Sequence, residues 1–414
     1  MIKLRVMVTL PDRKRLYCGD ILTTTPDSRG FIQGAFRYTP EYLENPFAFP
    51  LDPVNLPLSS KEFIADRPTG IHAVFEDSLP DDWGRKLLIQ KAKLGRREQN
   101  LPKLLEILGA NGLGSLSFIL DSGVSVSDMS AKNTTDENGS ASMVELNTLL
   151  NASLRYDSGL QVDEADLQLL FRVGSSPGGA RPKALVNKDD MSLWIVKLPS
   201  LNDKLDVIPI EAATLELARQ SGIIVPEFEI QSIGSRKLLM LRRFDVSPNG
   251  GRYHIISMQT LLRAEGFYYL GYNDMFNVLK SHSVQPSTDI PLLFRQMVFN
   301  AAIGNTDDHL KNFCMLHKEH GFCLSPAYDL LPDIYERREH TLSFNSSYLP
   351  PDRNSLQQIG KQQHIKNSGQ IIDEVVQAVS EWRTIFGRYK VPESDILKLE
   401  WGINRRLERL QNYR

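Results

Sequence analysis

Apolar and polar residues alternate through Met1-Ile2-Lys3-Leu4-Arg5-Val6-Met7-Val8-Thr9, the period of a strand with one buried face. Residues 31–38 repeat that pattern, and Asp81, following Pro80, stands as the N-cap of a helix predicted to reach Arg97. Residues 1–120 therefore read as an α+β subdomain. Bulky apolar residues nearly vanish across 121–142, and a stretch that cannot bury surface is a flexible linker or loop. Next come a glycine-rich turn, a hydrophobic strand over 192–198, a helix opening near Glu211 and a strand over 237–241. That order gives residues 143–250 the character of an ATP-binding lobe. Beyond Ile255 the apolar spacing changes to three and four, over 371–386 and 396–410, so 251–414 is predicted to be a mainly helical lobe.

Composition narrows the class without naming it. The chain has 414 residues, 41% hydrophobic and 24% charged, an ordinary globular balance with room for two or three domains. A formal net charge of -2 supplies no global attraction to nucleic acid or to an anionic membrane, so any nucleic-acid contact is expected to be local or to run through a partner. Cys18, Cys314 and Cys323 are too few and too scattered for a disulfide framework, which predicts a reducing, cytoplasmic setting. The first residues lack the apolar core of a signal peptide, and no run approaches the roughly 20 apolar residues of a membrane span.

The chemistry is concentrated in Asn305-Thr306-Asp307-Asp308-His309-Leu310-Lys311-Asn312-Phe313 and the later Ala327-Tyr328-Asp329-Leu330. Asp307 and Asn312 have the spacing by which a kinase loop sets a base beside a metal ligand, and Asp329 supplies a second metal-binding oxygen. Asp307 would accept or orient the proton of an attacking hydroxyl. Asn312 and Asp329 would present hard oxygens to Mg²⁺, and Lys311 would neutralise charge on the transferring group. The apolar runs flanking Lys318-Glu319-His320-Gly321 predict a hairpin joining the two loops. Cys314, His317, His320 and Cys323 recur every third residue, but odd steps on a hairpin switch faces and argue against a zinc site.

Upstream, Gly174-Ser175-Ser176-Pro177-Gly178-Gly179-Ala180-Arg181-Pro182-Lys183 offers backbone amides to phosphate oxygens, with Arg181 and Lys183 as counter-charges. It matches neither common phosphate-loop pattern. Lys197, in Trp194-Ile195-Val196-Lys197-Leu198, is placed as a kinase strand lysine is, to reach the ATP phosphates. Its alternative reading is a surface lysine at a strand end. Glu211 either pairs with Lys197 or is an ordinary acidic residue of a first helical turn. Leu241-Arg242-Arg243-Phe244-Asp245 leads from a strand into a connector whose amides and ring suit adenine, unless Phe244 is simply core.

Taken together, these words resemble the HipA family, kinase toxins of bacterial toxin–antitoxin modules. The resemblance rests on Glu76-Asp77-Ser78-Leu79-Pro80-Asp81, Leu105-Glu106-Ile107-Leu108-Gly109, the turn from Gly178 to Lys183, Val196-Lys197-Leu198-Pro199, Arg243-Phe244-Asp245, the stretch from Thr306 to Phe313, and Tyr328-Asp329. It implies a two-lobed, protein-kinase-like α+β fold with an added N-terminal subdomain, and phosphate transfer from ATP to serine or threonine. It also implies Asp307 as base, Asn312 and Asp329 as Mg²⁺ ligands, and nucleotide contacts from the glycine turn, Lys197, Arg242 to Phe244, His309, Lys311 and Tyr328. Ser176 aligns with the family's autophosphorylated serine, and Ser175 adjoins it. Asp308 stands where some members carry glycine, and Arg242 where an acidic residue occurs. The implied partners are a protein substrate and a HipB-like helix-turn-helix antitoxin. The alternative is a nucleotide-responsive binding module, a corepressor that holds its antitoxin on DNA.

Overall fold

The computed structural model describes residues 1–414 apart from 122–140, 161, 174–180, 189, 191, 267, 335–336 and 412–414, together with the side chains of Val144 and Arg172. Most of the 121–142 linker expectation therefore lies outside the described residues. The chain divides into two compact units, Met1–Leu201 with Asp245–Ile256, and Asn202–Phe244 with Ser257–Arg414.

In the first unit, β1 (Ile2–Thr9), β2 (Arg15–Thr23), β3 (Gly34–Tyr38), β4 (Phe63–Ile64) and β5 (Leu116–Leu120) form an antiparallel sheet in the order β4-β3-β2-β1-β5. The strict alternation of β1 fails at Met7, which is buried together with Val6 and Val8. The β1–β2 register also has a bulge: Val6 faces Gly19 and Met7 faces Tyr17, so Cys18 is the extra residue and shifts the phase of β2. Gly19 is required there because a Cβ would press on the Phe36 ring and the Arg37 carbonyl.

The predicted helix over 81–97 is shorter, Asp82–Lys91 with Asp81 at the N-cap position. Lys93 takes a φ of 51°, which leaves the right-handed helical region and ends the run. Short β6 (Ala141–Ser142) pairs in parallel with β7 (Lys183–Asn187), which pairs antiparallel with β8 (Leu193–Lys197).

The second unit is mainly helical, with two hairpins. β9 (Phe228–Ile233) and β10 (Arg236–Arg242) make the first; β11 (His254–Ser257) belongs to the first unit as far as Ile256, and β12 (Cys314–Lys318) and β13 (Gly321–Leu324) make the second hairpin. The helix expected to open near Glu211 begins at Val207 and runs to Gln220, buried continuously from Val207 to Ala218. Glu211 is thus a buried carboxylate in the second turn, only 2% exposed, rather than a solvated first-turn residue. A carboxylate is buried only where other groups compensate its charge, so its position there is dictated by tertiary context. The region over 371–386 is two helices, Ser368–Ser380 and Trp382–Arg388, and the last helix is Glu393–Leu410. The core of this unit is the Pro286–Ile303 helix, buried almost without interruption from Leu293 to Ile303. Replacing one of its fully buried rings, Phe294 or Phe299, by alanine would cost about 3–5 kcal/mol. Among the described residues no helix is long and apolar enough to cross a membrane.

Candidate active site

The Pro286–Ile303 helix delivers the Asp307 loop. It stops because Gly304 adopts the left-handed conformation, φ 78° and ψ 38°, and the amides of Gly304 and Asn305 both donate to the Asn300 carbonyl, at 3.0 and 2.9 Å. A Cβ on Gly304 would also meet the Arg406 side chain. The Asn305 side-chain amide donates to Asn300 Oδ1 at 3.1 Å, which carries the loop away from the axis.

From there the two aspartates part. Asp308 is completely buried. Its Oδ2 accepts the Tyr272 hydroxyl at 2.7 Å and lies 3.2 Å from His340 Nδ1; its Oδ1 accepts the amides of Thr341 at 2.9 Å and Leu342 at 3.3 Å. Burial, reinforced by the Asp308 charge, pushes the Tyr272 phenol well above its ordinary range, so that it stays a donor. Tyr272 in turn accepts from Asn300 Nδ2 at 3.0 Å, returning the network to the helix that began the loop. Asp307 points outward, its side chain 60% exposed, and its Oδ1 accepts from Arg337 Nη1 at 2.8 Å.

The next turn, Leu310–Asn312, is a single 3₁₀ turn after His309. Asn312 Nδ2 donates to the Asp307 carbonyl at 3.0 Å. With the amide nitrogen committed to the backbone, the amide oxygen is left as an acceptor. Tyr328 fixes the second loop against the first: its hydroxyl donates to the Lys311 carbonyl at 2.8 Å and lies 2.9 Å from Cys314 Sγ. The neighbouring Asp329 has a φ of 52°, a left-handed conformation that aspartate tolerates better than most residues. The Tyr328 ring meets Phe244 with centroids 5.6 Å apart. The structure therefore brings Asp307, Lys311, Asn312, Tyr328, Asp329 and Phe244 into one neighbourhood, joined by the β12–β13 hairpin anticipated from sequence. In that hairpin Cys323 faces Leu316 and His317 faces Phe322.

Oxygen donors at Asn312 and Asp329 suit Mg²⁺, which prefers few protein ligands and completes its shell with phosphate and water. Among the described residues no group of three or more His, Cys, Asp or Glu side chains is placed to hold a metal on its own.

Two lysines expected to contact phosphate belong to the first unit. Lys183 and Lys197 are cross-strand partners in the β7–β8 register, hence on one face, and both are buried, 5% and 6% exposed. The reading of Lys197 as a surface lysine at a strand end is replaced by this burial. Arg181 is half-buried just before β7. In the connector, Arg243 is buried, whereas Arg242 faces solvent and pairs with Glu227 at 3.0 Å. Gly178, Gly179, Ala180, Ser175 and Ser176 lie outside the described residues.

Sequence reasoning missed Asp308 as a structural hub and missed Arg337 entirely. The buried role of Asp308 had no local signal, since its partners lie 32 to 36 residues away in the chain.

Comparisons with known proteins bear on the family and the fold. The HipA-like C-terminal domain matches residues 175–383, and the HipA N-terminal domain matches 21–119. Among curated proteins, "Putative kinase Y4mE" of Sinorhizobium fredii is 31% identical over 134 residues, 30% of this chain and 32% of that protein. "Toxin YjjJ" of Escherichia coli is 25% identical over 178 residues, 39% of each chain. The chain thus aligns with only a third to two fifths of the length of these relatives. Among solved structures, a chain of the Shewanella oneidensis MR-1 toxin–antitoxin complex of HipA, HipB and operator DNA superposes with a TM-score of 0.65 at 17% identity, covering 98% of this chain and 96% of that one. A likeness of that extent at so low an identity establishes a shared fold, the two-lobed kinase-like α+β architecture. With domain matches at both ends, one of which takes in half of its length, the chain belongs to the HipA family.

Proposed function

We propose that this protein is a Mg-ATP-dependent serine/threonine protein kinase, the toxin of a toxin–antitoxin module. The observation that carries this reading is the tie between two loops: Asn312 held to the Asp307 backbone, and Tyr328, next to Asp329, held to Lys311. Such a tie keeps a base and two hard oxygen ligands in fixed relation, which is most of what phosphoryl transfer asks of a protein.

In this mechanism Asp307 orients the acceptor hydroxyl and takes up its proton as the bond to the γ-phosphorus forms and the bond to the β,γ-bridging oxygen breaks. Lys311 offsets the charge on the phosphoryl oxygens. Asn312 and Asp329 would hold Mg²⁺, which would offset negative charge on the nucleotide phosphates. Lys183, Lys197 and Arg181 supply positive charge for phosphate, and Phe244 and Tyr328 supply aromatic surface for the base. Ser176 or Ser175 is the site of autophosphorylation. The partner is a HipB-like antitoxin through which the chain meets DNA, since a net charge of -2 gives it little grip of its own.

Incubation of the dephosphorylated protein with Mg-ATP, beside Asp307→Asn, tests this by intact mass and peptide mapping. A phosphate gained by the parent and reduced on the order of 10²-fold or more in the variant is expected for loss of a base. Equal transfer by both proteins would refute the assignment.

A further inference from the structure

Whatever hydroxyl Asp307 serves must come within hydrogen-bond reach of its carboxylate, and Arg337 is already there, 2.8 Å from Oδ1. The arginine is held at that place from both sides in sequence. Upstream, the Asp333 amide donates to the Gly304 carbonyl at 2.7 Å; downstream, the Thr341 amide and hydroxyl both donate to the Thr306 carbonyl, at 3.2 and 3.1 Å. Both anchors sit on the turn that positions Asp307, so Arg337 is registered to the candidate base rather than to distant surface. Its side chain is 43% exposed and reachable from solvent.

From this geometry we infer that Arg337 is a specificity-determining residue for the separate protein substrate, selecting acceptor serines or threonines that have an acidic side chain beside them, a rule that does not extend to the chain's own Ser175 and Ser176 in Gly174-Ser175-Ser176-Pro177. This rests on the kinase reading of the preceding section and adds the substrate class. A guanidinium presents a fork of N–H donors and can hold two carboxylates at once. Arg383 of this chain does so with Glu393 and Glu400. A glutamate or aspartate next to the acceptor hydroxyl would share Arg337 with Asp307. A lysine at that place would meet the positive Arg337 side chain instead. An exposed ion pair is worth up to about five-fold in binding, and the opposing repulsion widens the discrimination.

The test uses two serine peptides identical except for glutamate or lysine on either side of the serine, with kcat/KM measured for the parent, Arg337→Gln and Arg337→Glu. The KM for ATP in each protein serves as the check that the variants fold. The parent is expected to favour the glutamate peptide by about five-fold or more, Arg337→Gln to lose most of that preference, and Arg337→Glu to invert it. The effect should fall on KM for peptide more than on kcat, and should shrink as salt rises. An unchanged preference in Arg337→Glu, or a parent that favours the lysine peptide or neither, overturns the inference. A parent that autophosphorylates yet modifies neither peptide also overturns it while leaving the kinase reading intact; a parent that transfers no phosphate at all removes both.

Discussion

Asp307 and Asp308 are consecutive residues in opposite environments, the first exposed and paired with Arg337, the second buried and shared by Tyr272, His340 and two backbone amides. Their substitution should therefore separate chemistry from stability. Asp307→Asn is expected to stop phosphate transfer while moving the unfolding free energy by less than about 1 kcal/mol, because it loses only an exposed ion pair. Asp308→Ala leaves several buried donors unpaired and should destabilise by about 3 kcal/mol. Urea unfolding of the two variants beside the parent decides this, and similar midpoints for both would contradict the division of labour.

Tyr328→Phe removes one hydroxyl that touches the Lys311 carbonyl and Cys314. The ring and its packing on Phe244 stay, so the fold should lose only about 1 kcal/mol. Losing the tether between the loops should lower kcat for autophosphorylation several-fold with little change in KM for ATP. A fall confined to ATP affinity would mean that Tyr328 acts on nucleotide directly rather than through Lys311.

Lys183 and Lys197, buried and opposite one another, should both be needed for phosphate binding. Lys183→Met and Lys197→Met are each expected to weaken ATP about ten-fold or more, the value of one charge-assisted hydrogen bond. Thermal unfolding with and without Mg-ATP reads this as loss of the ligand-induced rise in Tm. If either variant kept the full rise, that lysine would be structural only.

Acid should weaken the first unit through His254. Burial lowers its pKa from 6.5 to about 4, only partly opposed by the bond between its Nε2 and the Leu51 carbonyl at 2.7 Å. His72 is lowered to about 4 as well, chiefly by burial. A histidine whose pKa is depressed on folding is held neutral in the native state, so the unfolded chain binds the proton first. Its stability contribution is complete above pH 6.5 and is lost as pH falls from 6.5 to about 4, amounting to roughly 3 kcal/mol for such a shift. Denaturant midpoints measured between pH 7 and 4.5 should fall more steeply for the parent than for His254→Gln. Parallel slopes would show that His254 does not carry the acid sensitivity.

What the chain determined by itself was local. The step from Asp307 to Asn312, the hairpin that leads on to Asp329, the strand holding Lys197 and the helical C-terminal half are encoded in turn chemistry and periodicity over a few residues, and they pointed to the family before any coordinate was known. Element ends were less legible: Lys93 broke a helix through a backbone angle, and Glu211 was drawn into the interior by its surroundings. Only the tertiary structure decided that Asp308 faces inward while Asp307 faces out, that Lys183 stands across from Lys197, and that Arg337 reaches the candidate base. These relations join residues 14 to 36 positions apart. They are set by strand register and by the left-handed stop at Gly304, which fix which side chains share a buried space.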